Sequence, residues 1–225
     1  MDIVSLLMLA FGLGLLHALD ADHIAAVSGL AGHRPGLRTS AMFCLRWAFG
    51  HGAVLLLVGS AVFLLGMAIP ESLSNLAENM VGAVLIAIGL AIVIDLYRRR
   101  AHIHFHHHDG LPRHAHWHVH QPDTQHNEAA HQHRHAAIMV GALHGMAGSA
   151  PLLLLLPLGQ MSSPWYGMAY LILFSLGVIV AMLLFGGVLG VLFTQFARIS
   201  GRALQYVRGL VGLGSVVYGG YLLFS

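Results

Sequence analysis

The sequence contains no lysine and one cysteine, Cys44, and Asp, Glu, Lys and Arg together make up only 9% of its 225 residues. Each shortage excludes something. A soluble domain carries roughly 25% charged residues, and a chain this poor in charge cannot cover a water-facing surface. Without lysine the phosphate-cradling motif G-x-x-x-x-G-K-[ST] cannot occur, which removes nucleotide hydrolysis of that kind. A single cysteine rules out an intrachain disulfide framework and cysteine-rich zinc modules. The 11 arginines lie between apolar runs and make no basic stripe, so nucleic acid is not an expected partner.

Apolar residues are abundant instead, at 57%, and there are 18 histidines. Apolar stretches recur at roughly 3–32, 40–67, 79–96, 136–158, 166–195 and 203–223, close to or above the length of about 20 residues that crosses a bilayer. Backbone groups in lipid need partners within their own segment, so these spans must be helical. The first span follows Met1 and Asp2 with no basic n-region and no clear cleavage site, and it reads as a retained helix. The expected fold class is an all-α polytopic membrane protein of six transmembrane helices. Arg34, Arg38 and Arg46, then Arg98, Arg99, Arg100, Arg113 and Arg134, then Arg198, Arg202 and Arg208 all fall on one side of that arrangement. That side is the cytoplasm by the positive-inside rule, which leaves both termini outside. A bacterial cytoplasmic membrane is the expected location.

The chain divides into a first three-helix half at 1–97, a link at 98–135 and a second three-helix half at 136–225. The halves are weakly alike. His17 in Leu-Leu-His-Ala compares with His144 in Ala-Leu-His-Gly, Phe49-Gly50-His51 with Leu176-Gly177-Val178, and Gly82 and Gly89 with Gly212 and Gly219. An odd number of spans per half requires an inverted 3+3 repeat, the architecture of secondary transporters that bind near mid-membrane where the halves meet.

The segment His17-Ala18-Leu19-Asp20-Ala21-Asp22-His23 places two imidazoles and two carboxylates in an apolar span. Ionisable groups there are functional by default, and imidazole with carboxylate suits nickel, cobalt or zinc. On a regular helix His17, Asp20 and His23 cover an arc of about 120° and Asp22 points away from Asp20. The segment 3–32 would also be about 45 Å long as a straight helix, against about 30 Å of hydrocarbon. Tilt, or a break near the motif that turns Asp22 inward, resolves both. His51, between Gly50 and Gly52, and His144, in His-Gly-Met-Ala-Gly-Ser with Ser149 as polar support, complete the metal candidates. Sulfur from Met8, Met146 or Cys44 is a weaker option, because methionine in apolar spans usually packs.

His17, Asp22 and His23 match the H-x4-D-H signature of the nickel/cobalt transporter family, in its fuller form H-A-x-D-A-D-H, and Phe49-Gly50-His51 resembles that family's L-G-H motif. The chain is most similar to the short nickel-permease branch, sometimes linked to urease maturation. The resemblance implies nickel or cobalt uptake that needs the signature residues, carried over to His17, Asp20, Asp22, His23 and His51; His144 comes from the repeat. Two departures stand. Family members typically have eight spans, and this chain looks like the inner six. The stretch Leu173-Phe174-Ser175-Leu176-Gly177-Val178 also lacks the Asp-Thr that usually follows.

The link holds 13 of the 18 histidines, among them His102, His104, His106, His107, His108, His114, His116, His118 and His120. Its few aliphatic residues predict disorder, and such tracts bind transition metals. The leading functional expectation is uptake of nickel or cobalt, zinc less so, as transported ion with no prosthetic group. The partners are then the bilayer and the divalent ion, with a homo-oligomer and a cytoplasmic metal acceptor compatible. Efflux on the same scaffold is the first alternative. A non-transporting metal-binding accessory protein is the second, though it leaves Asp20 and Asp22 without a role. A membrane metalloenzyme is disfavoured: His17 and His23 are six apart, and no H-E-x-x-H or nucleophile-elbow motif is present.

Overall fold

The computed structural model describes residues 2–31, 36–65, 71–100, 104–106, 114–116, 127–147 and 163–224. These form helices α1 (Ile3–His17), α2 (Ala21–Ala31), α3 (Leu37–Leu65), α4 (Glu71–Arg100), α5 (Asn127–Met146), α6 (Pro164–Ile199) and α7 (Gly201–Phe224). Two three-residue strands, β1 (His104–His106) and β2 (His114–His116), pair antiparallel with His104 opposite His116 and His106 opposite His114.

Local chemistry sets several helix ends. The Ser5 N–H donates to Asp2 Oδ1 at 2.9 Å and caps α1, and hydrogen bonding to Ser5 holds the Asp2 carboxyl below the ordinary carboxylate range. Extended Ser163 precedes Pro164, which starts α6 with its φ already helical. A single extended residue, Ser200, separates α6 from α7, and its Oγ accepts from the Arg202 N–H at 3.1 Å.

Among the described residues, four helices are long and apolar enough to cross a membrane: Leu37–Ala61, Ser72–Arg98, Trp165–Ile199 and Gly201–Phe224. Helices α1 and α2 together would make a fifth, bent by 53°. The long first segment is therefore broken, over Ala18 to Asp20, where short-range bonds from Leu19 N–H to Leu16 O and Asp20 N–H to His17 O replace the helical pattern. Of the expected span at 136–158, the apolar helix His135–Met146 is present and residues 148–158 lie outside the described residues. Helices enter the stretch 98–135 from both ends. Helix α4 runs to Arg100 and α5 begins at Asn127, since Glu128, Ala129 and Ala130 favour helix.

Only between 22% and 39% of the residues in the four apolar windows are buried. Leu57, Leu184, Leu210 and Val217 are among many large apolar side chains that point outward. An apolar exterior of this extent is stable only against lipid, so the chain is an integral, polytopic membrane protein.

Helix α3 packs on α6 and α5, α1 on α6, and α4 on α7. Glycines let these backbones touch, as small residues do in membrane bundles. A Cβ at Gly14 would strike the Phe174 carbonyl oxygen, and one at Gly141 the Trp47 carbonyl oxygen. Gly177 faces Phe11 O and Leu15 N, and Gly50 faces Ile138 O and Ala142 N. Between α4 and α7, Gly82 meets Gly219 and Gly89 meets Gly212. Farther along the same pair, Arg208 Nη2 donates to Asp95 Oδ2 at 3.0 Å.

Overpacking of a tight seam destabilises by about 1–3 kcal/mol. Gly141→Val is therefore expected to lower the unfolding midpoint in detergent by about 5 °C, whereas Gly12→Val, where a Cβ meets nothing within 4 Å, should shift it far less. Thermal size-exclusion profiles of both variants check this.

Candidate metal centre

The break between α1 and α2 puts His17 on the last turn of one helix and His23 in the first turns of the next. His51 comes from the middle of α3, brought alongside by the glycine seams. One ligand atom from each of His17, His23 and His51 lies within 4.8 Å of the others, and all three side chains are buried. A metal held at about 2.1 Å by imidazole nitrogens spaces them by about 3.4 Å in a tetrahedral site, so the three rings need to draw together by about an ångström to close on an ion.

His144 adjoins the triad, with its ring 5.7 Å from that of His23. Its Nδ1–H donates to Val140 O at 2.8 Å. A carbonyl can only accept, so this bond fixes the tautomer and leaves Nε2 with its lone pair. His17 Nδ1 lies 2.8 Å from Asp20 Oδ2 as an ion-pair contact not aligned as a hydrogen bond, close to the carboxylate–histidine pairing that orients a metal-binding imidazole. Asp20 occupies the N-cap position of α2, its carbonyl accepting from the Ile24 N–H, while its carboxylate turns to His17. Asp22 Oδ2 is 3.7 Å from His23 Nε2.

Several ring nitrogens are buried with no hydrogen-bond partner among the described residues: His17 Nε2, His23 Nδ1, both nitrogens of His51, and His144 Nε2. Each buried polar atom left unpaired costs about 1–3 kcal/mol. Five of them on four converging side chains fit a donor set for a borderline divalent ion. Trp47 closes the back of the group. Its ring stacks on His51 at 5.1 Å with an interplanar angle of 15°, and lies 4.7 Å from His23 and 5.5 Å from His144.

On the other side a cavity of about 440 Å³ reaches His17. Asp20, Asp22, Glu78, Tyr218 and Tyr221 line it. The break thus brings both motif carboxylates to one space, which a straight helix would not.

His17, His23, His51, His144, Asp20 and Asp22 therefore converge on one region. Ser149 lies outside the described residues. The sulfur candidates lie elsewhere: Met8 is 72% exposed on the bundle exterior, Cys44 is buried against Gly186, and Met146 packs in the cluster around Leu85 and Val81. In the link, His104, His106, His114 and His116 occupy the paired strands, and His102, His107, His108, His118 and His120 lie outside the described residues. Sequence reasoning missed Trp47, Glu78, Tyr218 and Tyr221. For Trp47 a signal existed, since it precedes His51 by four residues and shares its helix face. Glu78 precedes the third apolar stretch, 79–96, by one residue, a place where an acid at the membrane edge carries no functional signal.

Comparison with known proteins adds two likenesses. Residues 24–221 match the family described as cytochrome C biogenesis protein transmembrane region. The match starts one residue after His23, so it covers the scaffold and not the His/Asp motif. The chain is also similar to the urease accessory protein UreH of Bacillus sp. (strain TB-90), with 28% identity over 224 residues, spanning all of this chain and 92% of that protein. No solved structure matches.

Trp47 offers a direct readout of the centre. With Trp117→Phe and Trp165→Phe in place, nickel or cobalt should quench the remaining tryptophan emission saturably. His51→Ala should weaken the apparent affinity by about 10–100-fold. Unsaturable quenching, equal in both proteins, contradicts an ion bound beside Trp47.

Proposed function

The chain belongs to the family of cytochrome C biogenesis protein transmembrane regions, and on that scaffold we propose that it carries a divalent transition-metal ion, nickel or cobalt, across the membrane. The observation that carries this reading is the buried triad of His17, His23 and His51, with ligand atoms within 4.8 Å of one another inside an apolar bundle. Imidazole nitrogens, buried in the bundle, bind a borderline ion selectively over magnesium or calcium, which prefer oxygen. The metal is cargo and not a resident group. The likeness to a urease accessory protein agrees with the nickel expectation that the motif raises.

The proposed scaffold is six spans in two halves, 1–97 and 136–225, related as an inverted repeat. Matched backbone contacts support it. The collision of Gly14 with the Phe174 carbonyl has its counterpart in Gly141 with the Trp47 carbonyl. Gly177 meets Phe11 and Leu15 as Gly50 meets Ile138 and Ala142. One constant sequence separation relates every member of these pairs, and it also relates His17 to His144.

Uptake is preferred to efflux. Glu78 and Tyr221 of the cavity sit in the halves of α4 and α7 remote from Arg98 to Arg100 and Arg202. With the arginines cytoplasmic, the acidic cavity receives ions from outside. An inward-moving divalent ion gains about 4.6 kcal/mol per 100 mV, two charges at about 2.3 each, so no nucleotide machinery is required. The histidine-rich link, 98–135, then buffers or hands on the ion within the cytoplasm.

Cells expressing the wild type should accumulate radioactive nickel, and His17→Ala should reduce that uptake by about tenfold or more. Equal uptake by the two would sink the mechanism. Expression should also make cells more sensitive to nickel; greater tolerance would reverse the direction. Removing residues 101–126, between α4 and α5, should leave uptake in place, whereas a loop-based store would lose its metal.

A further inference from the structure

The cavity in front of His17 differs in chemistry from the triad behind it. Its carboxylates come from two places in the sequence: Asp20 and Asp22 from the α1–α2 break, and Glu78 from α4. Tyr218 and Tyr221 on α7 add two phenols, and apart from His17 no basic group is among the lining residues. Three carboxylates in a recess with low-dielectric walls concentrate cations. His17 forms the inner wall, only 3% exposed, and its Nε2 has no partner among the described residues. His17 thus belongs to both compartments, lining the acidic space while it contributes a ligand atom to the buried triad.

Size separates the two compartments. A divalent ion with six waters, each about 30 Å³, occupies about 200 Å³ and fits within 440 Å³. Ligand atoms within 4.8 Å of one another leave room for the ion without its water shell. Carboxylates and phenols hold a hydrated ion through its waters, as they do magnesium, which sheds water reluctantly. Imidazoles hold a bare one.

We propose that Glu78, with Asp20 and Asp22, forms a capture site for a hydrated divalent cation, hydrogen-bonded through its waters to Tyr218 and Tyr221, ahead of the imidazole triad. This deepens the transport reading and rests on it for its biological sense. The site chooses by charge and admits hydrated ions broadly. Discrimination among metals falls to the triad, where water is exchanged for nitrogen. Because Asp20 also pairs with His17 Nδ1 at 2.8 Å, the two stations share a group, and Glu78 is the member that serves capture alone.

The test uses hydrated manganese as probe, because its electron paramagnetic resonance signal separates free from bound ion. The full chain in lipid nanodiscs is titrated as wild type, His51→Ala, Glu78→Gln and Glu78→Asp. Expected is saturable binding in the wild type and in His51→Ala. Glu78→Gln should weaken it about tenfold, the loss of some 1.4 kcal/mol, while Glu78→Asp stays close to wild type. The histidine-rich link is common to all four proteins and cancels in the comparison. In vesicles, millimolar magnesium should inhibit nickel uptake by the wild type and lose that effect in Glu78→Gln. Manganese binding unchanged in Glu78→Gln, or abolished by His51→Ala, overturns the capture site. Glu78-dependent manganese binding in a wild type that takes up no nickel would instead count against the transport reading, so the two failures are told apart.

Discussion

Imidazole nitrogens that have no hydrogen-bond partners among the described residues, held inside an apolar bundle, are a costly feature on which the rest of the site depends. Each is tolerable only if something holds the ring in place and something else makes its lone pair useful. Asp20 and the Val140 carbonyl do the first for His17 and His144. Trp47 does it for His51 by stacking flat on the ring. The break between α1 and α2 serves the same end, since His17 and His23 reach one point only because the chain bends by 53° between them. Without the bend, the two rings would be separated by nearly two helical turns.

Positioning and chemistry are divided among different residue types. Glycines carry the helix–helix seams and contribute nothing chemical; they bring α3 against α5 and α6 so that His51 and His144 both meet His23. Aromatic and aliphatic residues around Trp47, Tyr170, Phe174 and Met182 fill the interior behind them. Carboxylates stay at the watery edge, where Asp20 and Asp22 are partly exposed. Carboxylate oxygen thus lines the aqueous recess and imidazole nitrogen lies in the dry interior, as solvation favours.

Much of this was legible in the chain, and the limits have physical causes. Apolar length exposes α3, α4, α6 and α7 directly, because a bilayer sets one length for all of them. The His/Asp motif stood out because charge in an apolar run has few explanations. The break was readable only as an alternative to tilt, since no proline marks it; the excess length and the wasted direction of Asp22 were the clues. Glu78 was hidden by its position at the edge of a span, where carboxylates are commonplace. Arg208 read only as a marker of membrane side. Its partner Asp95 is 113 positions away, a distance that no local pattern bridges. The start of α5 at Asn127 was masked by histidines, which suggest a link although their alanine and glutamate neighbours favour helix.

The seam between α4 and α7 has a mechanical consequence. Two glycine contacts seven residues apart, Gly82 with Gly219 and Gly89 with Gly212, act as teeth. Sliding one helix by a turn, about 5.4 Å, would set glycine against side chains that have no space to yield. The Asp95–Arg208 pair adds a third fixed point toward the arginine-bearing ends. Translation along the axis is therefore blocked, and the cheap movement left to these two helices is a pivot, widening at one end as it narrows at the other.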